Sequence, residues 1–479
     1  MSNVLDPRDQ VWFDYGRATG VSTLVQWVWA YNRPIDVDGL RRFHDHLARG
    51  RLSRGVERSP LPFGRHRWVA AGRPSDLEIA ATQRPRDEFD VWLGEQANTP
   101  LDCENGPGWR LAALPFTDGG AGVSLIVSHC LTDGIGLCEA LADAALGRDD
   151  PISWPAPGSR RRWQAVREDA GQTLRDTPAI GRAVAAAVRV ARRSRGGGAG
   201  ARAAPTPLMV PAGADEPITL PTATIFVDAG EWEARAHSLG GTANTLLAGI
   251  AARLAQRVGR VTADGSVALV MPVNERTAGD TRANAYSDVD IRVDPSLATT
   301  DLREIRDAVK QALVRYRELA DEQRAMLAIV PLLPKRLLKV AGTATSVISS
   351  NLGVIDAAVG RPDGTDADYS AVQNAYRGIT ETMLHRLGGL QALASGRACS
   401  QVFVSVMAYQ PGRPNSNDSL RHELSSVLKD FELTGRYIGE RPGHTSPKES
   451  PRRTDETSVT HAPRSFHHHP AGPASPPIG

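Results

Sequence analysis

The sequence has few cysteines, and they are not spaced to bind a metal. The 479 residues contain four, Cys103, Cys130, Cys138 and Cys399, and none belongs to a CxxC pair. Zinc sites and disulfide-stapled domains both need closely spaced cysteines. We therefore expect no metal site, no disulfide framework and a reducing, cytoplasmic environment.

Long apolar runs and an excess of charge are also missing. No uncharged apolar stretch approaches the ~20 residues that cross a membrane, and the first residues, MSNVLDPRDQVWFDYG, lack the apolar core of a signal peptide. Lys+Arg 56 against Asp+Glu 54 leaves a net charge of +2, so no global field attracts nucleic acid. We expect a soluble, cytoplasmic protein with no nucleic-acid partner. Peripheral contact with the inner membrane face stays open, because 182–195 and 325–342 could lie on lipid or belong to the packed structure.

Length and composition divide the chain into four parts. A chain of 479 residues exceeds what one hydrophobic core usually serves, so two globular regions are expected. Between the two regions lies a part rich in Arg, Ala and Gly, and it ends in RRSRGGGAGARAAPTP, the composition of a flexible linker. The C-terminal part has the Pro, Ser and charge content of a disordered tail. The predicted parts are an N-terminal lobe (1–157), a linker (158–207), a C-terminal lobe (208–440) and a tail (441–479).

Strand-like and helix-like segments alternate in both lobes, which predicts a mixed α/β fold. The helical segment TANTLLAGIAARLAQRVG has apolar residues at i, i+4 spacing on one face, with Thr242 or Asn244 as its cap. The other predicted helices are IGLCEALADAALG (135–147) and SLRHELSSVLKDFELTG (419–435). The predicted strands are GVSLIVS (122–128), TATIFVDAG (222–230), SVALVMPV (266–273) and CSQVFVSVMAYQ (399–410).

The most distinctive stretch is SHCLTDG, at the end of the apolar strand in the first lobe. His129 falls where the strand ends, Asp133 or Thr132 can cap the helix that follows, and Gly134 offers backbone freedom for the turn. Taken alone, the turn favours a plain N-cap beside a partly buried histidine. Other site motifs are absent, since the chain has no GxxxxGK[ST] phosphate loop and no GxSxG elbow, and Glu139 replaces the third glycine of a dinucleotide fingerprint.

Five segments together, however, resemble one superfamily. SHCLTDG is an HxxxDG motif, and the others are TPLDCENGPGWRLAAL (99–114), GGTANTLLAGIAARL (240–254), VMPVNER (270–276) and TSVISSNLG (345–353). In this order they are similar to the CoA-dependent acyltransferases that include wax ester synthase/diacylglycerol acyltransferases, polyketide-associated acyltransferases and condensation domains. The resemblance covers about residues 11–439. It implies two chloramphenicol-acetyltransferase-like lobes of mixed sheets flanked by helices, with an active-site tunnel between them.

The resemblance also implies roles for particular residues. His129 is the expected general base, with Gly134 in its turn. Asp133 is expected to pair with an arginine, either Arg276 as the best match or Arg110, and so to orient the turn. The remaining site-lining candidates are Ser128, which replaces the first histidine of the family's HHxxxDG pattern, and Asn351, which a plain turn explains equally well.

An acyl thioester is already activated, so its transfer needs a base for the acceptor and no bound cofactor. Imidazole suits that task, with an unperturbed pKa of ~6.5. The expected donor is acyl-CoA or an acyl carrier with its phosphopantetheine thioester, and the expected acceptor is a hydroxyl of a hydrophobic alcohol, lipid or glycolipid. The alternative is a non-catalytic condensation-like module that binds an acyl carrier or lipid.

Overall fold

Two large β-sheets organise the protein. The computed structural model describes residues 3–72, 75–148, 152–196, 215–327, 346–438 and 440. The strands are β1 (Ser22–Tyr31), β2 (Arg54–Glu57), β3 (Arg67–Ala70), β4 (Leu77–Ile79), β5 (Trp109–Pro115), β6 (Ala121–Ser128), β7 (Thr222–Asp228), β8 (Val267–Asn274), β9 (Tyr286–Val293), β10 (Val347–Ile355), β11 (Tyr369–Arg377), β12 (Leu390–Ala398), β13 (Gln401–Tyr409) and β14 (Arg436–Tyr437).

Helices flank these sheets. Short 3₁₀ turns lie at Arg86–Glu88 and Ala357–Gly360. The α-helices of the described residues are α1 (Pro7–Thr19), α2 (Val37–Arg49), α3 (Phe89–Ala97), α4 (Gly134–Ala145), α5 (Arg162–Gly196), α6 (Ala229–Ser238), α7 (Ala243–Arg257), α8 (Arg303–Leu327), α9 (Glu381–Leu387) and α10 (Asn417–Asp430). None of the helices in the described part of the chain has the length and apolarity to cross a membrane.

The first sheet has the strand order β11-β1-β6-β5-β4. Its pairings are antiparallel except β4 with β5. β11 comes from late in the chain, yet it pairs with β1 along its whole length, from Ser22↔Arg377 to Ala30↔Tyr369. Because the two strands are more than 300 residues apart, this pairing joins a late segment of the chain to an early one. The indole N–H of Trp27 adds a 3.0 Å hydrogen bond to Ser370 Oγ.

The second sheet has the strand order β14-β7-β13-β12-β10-β8-β9. β10 lies parallel to both of its neighbours, and the other pairings are antiparallel. Each large sheet has its own hydrophobic core: Trp27, Trp29 and Leu125 lie in the first, and Leu246, Ile250 and Val404 in the second. Mixed sheets flanked by helices confirm the predicted fold class.

The observed ends of the predicted helices and strands lie within five residues of the expected ones. Helix α7 is capped by Thr242, the first of the two predicted caps, through a capping box with Thr245. Leu246, Ile250 and Leu254 are buried as the spacing predicts. The first part of the predicted linker is the long helix α5. Residues 197–207 of that linker and the predicted tail, 441–479, lie outside the described residues, so their predicted flexibility stays a prediction.

Candidate active site

His129 lies directly after the last residue of β6, where the first sheet meets the loop that joins β8 and β9. Its backbone N–H donates to Thr23 O of β1 over 2.9 Å. Its carbonyl oxygen accepts from Asn284 Nδ2 over 3.0 Å. These two bonds fix the main chain of His129 between a strand of the first sheet and the 275–285 loop of the second.

Asp133 is the N-cap of α4 and also binds the 275–285 loop. Its Oδ1 accepts from the Gly136 N–H over 2.6 Å, as expected of a cap. Its Oδ2 accepts from the Ala285 N–H over 2.7 Å and from Arg276 Nη2 over 2.9 Å. Both carboxylate oxygens are therefore engaged, one within the helix and the other across to the second sheet's loop.

Arg276 is almost completely buried, with 2% of its side chain exposed against 8% for Asp133. Besides Asp133, its guanidinium donates to the carbonyl oxygens of Arg282 and Ala283, each over 3.0 Å. Arg110, the other candidate partner, forms an ion pair with Glu78 at a different place. A buried charge is stable only when it is paired and hydrogen-bonded, so the Asp133–Arg276 pair holds the histidine turn and the loop as one unit.

The reason given above for Gly134 was wrong. Its φ does not fall in the left-handed region, in contrast to fifteen other glycines of the described chain. A Cβ at this position would lie 2.7 Å from Leu352 Cδ2 of β10. A side chain at position 134 would therefore displace the end of Leu352, and the turn does not need a left-handed conformation at this residue.

Gly136 has a similar steric role that the sequence did not reveal. A Cβ there would lie 2.8 Å from Arg276 Nη2 and 2.9 Å from Thr132 Oγ1. We predict that Gly136→Ala lowers the free energy of unfolding by about 1–3 kcal/mol, because overpacking displaces the buried guanidinium. Gly171→Ala in α5, where a Cβ would meet nothing within 4 Å, should instead stabilise by about 0.5–1 kcal/mol through helix propensity. Denaturant unfolding of both variants tests this, and equal effects would contradict it.

The imidazole of His129 is half-buried beneath an aromatic residue of α1. Trp12 stacks on it with ring centroids 4.5 Å apart and an angle of 23° between the planes. The Trp12 indole N–H donates to Tyr286 Oη over 3.1 Å, and the Tyr286 ring contacts the imidazole edge at a centroid distance of 6.3 Å. Burial lowers the pKa of His129 below its usual 6.5, although the negative charge of Asp133 opposes the shift. Burial therefore favours the neutral form of the ring.

Asp9 of α1 also supports the site, although no sequence pattern indicated it. It is fully buried on α1 and accepts from the backbone N–H groups of Ala283 and Asn284 over 3.1 and 2.8 Å, and from Asn284 Nδ2 over 3.1 Å. Burial raises its pKa to about 7, and nearby Asp6 adds to the shift. Asp9 orients Asn284, which in turn binds the carbonyl oxygen of His129.

Three buried polar atoms at the site have no hydrogen-bond partner among the described residues: His129 Nδ1, Asn284 Oδ1 and Arg276 Nε. Buried polar side-chain atoms are normally paired. The Asn284 side chain also interacts with the imidazole, where it opposes the lowering of the pKa of His129.

The remaining predicted residues lie nearby. Ser128 directs its hydroxyl at Cys130 Sγ, 3.3 Å away. Asn351 lies at a bulge in β10, and its Oδ1 accepts from the Gly353 N–H over 2.8 Å, which is the turn interaction considered above. The next residue, Leu352, is the one that packs against Gly134.

Two cavities adjoin this cluster. One of about 360 Å³ lies beside α4 and the end of β10, where Ile135, Cys138 and Leu352 line it. The other, of about 80 Å³, lies beside α1, where Arg8, Asn284 and Tyr286 line it. The larger volume falls within the range of small-molecule pockets.

Comparison with known proteins identifies the fold. No family model matches the sequence, and no curated protein matches it. Solved structures do match: the first condensation domain of the CDA synthetase has 13% identity and a TM-score of 0.53 over 91% of this chain and 99% of its own. The wax ester synthase/diacylglycerol acyltransferase from Marinobacter aquaeolei VT8 has 16% identity and a TM-score of 0.52 over 90% and 99%. The chain therefore has the fold that these two-lobed proteins share, as the motifs implied.

Proposed function

We propose that this protein is an acyltransferase that moves an acyl group from a thioester to a hydroxyl acceptor, with His129 as general base. One observation carries the proposal: His129, with its main chain bonded to both sheets, lies in the turn that the buried Asp133–Arg276 pair holds in place. The fold shared with a wax ester synthase and a condensation domain supports it.

The reaction needs little more than this arrangement. The neutral imidazole accepts the proton of the acceptor hydroxyl as its oxygen attacks the thioester carbonyl; the thiolate then leaves and takes up the proton. Such proton transfer typically contributes ~10²–10⁴-fold to the rate. Asp133 has both oxygens occupied by Gly136, Ala285 and Arg276, so we assign it a positioning role that keeps the ring in place.

The donor in this proposal is acyl-CoA or a carrier-bound phosphopantetheine thioester, and the cavity of about 360 Å³ beside α4 is the proposed entry for its arm. The proposed acceptor is an alcohol, a lipid or a glycolipid, which reaches the ring from the α1 side. Trp12 and Tyr286 would contact it there, since both pack on His129.

A second function is favoured by a separate observation. Trp12 stacks directly on the imidazole, and Ser128 replaces the first histidine of the HHxxxDG pattern. Both features suit a non-catalytic module that binds an acyl carrier or lipid.

A panel assay decides between the two functions. Purified protein is mixed with acyl-CoAs of increasing chain length, or with carrier-loaded acyl groups, and the released thiol is measured with and without an alcohol acceptor. An acyltransferase releases thiol in an acceptor-dependent way from at least one donor. A module that only binds shows saturable donor binding and no release above the protein-free rate.

The pH dependence of kcat/KM should report the lowered pKa of His129. We predict that kcat/KM rises with pH through an apparent pKa below 6.5 and is level from about pH 7 to 8, because only the neutral ring accepts a proton. Arg8 and Asp133 are the charged groups that act on the ring, while Asp9 titrates nearby with a pKa of about 7. Asp9→Asn is therefore the control. If the midpoint of the pH profile lies at or above 7, or if the pH dependence disappears in Asp9→Asn, the titrating group is Asp9 and not His129.

A further inference from the structure

Cys130, the residue after His129, lies against a second cysteine, Cys103. The sulfur atoms of Cys130 and Cys103 are 3.0 Å apart, which is about 1 Å longer than a disulfide bond. We propose that Cys103 and Cys130 form a reversible disulfide that lowers the activity of the adjacent site. The effect on activity rests on the proposed function, whereas formation of the bond does not.

The fold holds the two cysteines together from separate segments. Cys103 lies in the loop before β5, where its carbonyl oxygen accepts from the Val56 N–H over 2.7 Å. That loop is closed by bonds from the Asp102 N–H to Pro107 O over 2.9 Å and from the Gly106 N–H to Asp102 O over 2.8 Å. Cys130 is fixed by the bonds of the preceding residue, His129. The pairing therefore does not depend on chance contact of two mobile side chains.

The chemistry is thiol–disulfide exchange with a low-molecular-weight disulfide as the oxidant. Cys130 is buried, and its contact with Cys103, together with burial, raises the pKa of its thiol well above the ordinary value. The half-buried Cys103 is the accessible partner, so its thiolate attacks the oxidant and releases one thiol. Cys130 then gives up its proton, attacks Cys103 Sγ and releases the second thiol. Two protein thiols are oxidised and one disulfide is reduced to two thiols.

Closing the bond should disturb the site on two sides. The sulfur atoms must approach by about 1 Å, and the backbone of His129 is attached directly to Cys130. Glu104, the residue after Cys103, forms ion pairs with Arg58 and with Arg17 of α1, and α1 carries the Trp12 ring that stacks on the imidazole. A displacement of about 1 Å in a catalytic group can cost ~10²-fold in rate. We therefore expect at least a tenfold loss of turnover.

Mass spectrometry of the full chain tests bond formation. The reduced protein is treated with oxidised glutathione, and then examined intact and after proteolysis under non-reducing conditions. Apart from any glutathione adduct, the expected product has lost two hydrogen atoms, and it yields one linked peptide that contains Cys103 and Cys130. The exposed Cys399 should carry a glutathione adduct instead. A stable glutathione adduct on Cys103, with no linked peptide, would overturn the proposal.

Turnover of the same samples tests the regulatory effect. Wild type and Cys399→Ser should lose activity on oxidation and regain it with dithiothreitol, whereas Cys103→Ser should be insensitive. In Cys130→Ala, Cys103 should keep its glutathione adduct, because no second thiol is present to displace it, so this variant is the control for the linked peptide. A linked peptide with unchanged turnover would overturn the regulatory role. If no sample transfers acyl groups even when reduced, the proposed function fails, and the peptide result still decides whether the pair forms.

Discussion

Replacement of His129 by alanine should lower kcat/KM for acyl transfer by about 10²–10⁴-fold, which corresponds to ~3–5 kcal/mol of transition-state stabilisation. The reason is that the ring is the only group we assign to take the acceptor's proton. Donor binding should change little, because the cavity proposed for the thioester arm is lined by residues of α4 and β10. Steady-state thiol release measures the first quantity, and equilibrium binding of a non-hydrolysable donor analogue measures the second.

Two further variants separate catalysis from packing. Removal of the ring leaves space beneath Trp12, which stacks on it, so His129→Gln is included as a variant that fills more of that space without supplying a base. His237→Ala, on the exposed surface of α6, should keep full activity. If His129→Gln keeps more than a tenth of wild-type turnover, His129 is not the general base.

Loss of either partner of the Asp133–Arg276 pair should lower the free energy of unfolding by about 3–5 kcal/mol, because the remaining charge stays buried without compensation. In Asp133→Asn an amide N–H₂ replaces one of the two carboxylate oxygens. It faces either the donors of Ala285 and Arg276, or the Gly136 N–H, in which case the helix cap is lost. Arg276→Ala leaves the carbonyl oxygens of Arg282 and Ala283 without their donor. Both variants should also lose turnover, since the turn that carries His129 is released. Denaturant unfolding and thiol release measure the two effects.

The double variant decides whether the two residues act as a pair. Residues in direct contact show non-additive effects, so Asp133→Asn with Arg276→Ala should cost far less than the sum of the single changes. The partly exposed pair of Arg257 and Glu423, with nitrogen and oxygen 2.8 Å apart, serves as a comparison, because an ion pair of this kind is worth only about 0–1 kcal/mol. Strict additivity for Asp133 and Arg276 would show that their contact is not the basis of the effect.

The local part of this site could be predicted from the sequence. An apolar strand, a histidine at its end and an acidic cap before a helix are all features of neighbouring residues, and the structure places them as β6, His129, Asp133 and α4. Helix α7 was equally predictable, because its amphipathic spacing and its capping threonine both act within one segment.

The long-range part of the site was not predictable from local pattern. Asp9 and Trp12 lie on a helix whose sequence has no strong amphipathic pattern, and they meet Asn284 and His129 only through tertiary packing. The contact at Gly134 was missed for the same reason, because the side chain that a Cβ would meet there, Leu352, lies far away in the sequence. The Cys103–Cys130 contact joins two segments that are 27 residues apart, and spacing alone did not indicate it.

The most direct test of the account is to detect the transferred product itself. Wild-type protein and His129→Gln are incubated with a donor carrying an isotopically labelled acyl chain and with the acceptor that gave the fastest thiol release. Mass spectrometry then measures the labelled ester. The account predicts that the wild type forms the ester in step with released thiol, and that His129→Gln forms at least a hundredfold less. Thiol release without any labelled ester, or equal ester formation by the two proteins, would contradict it.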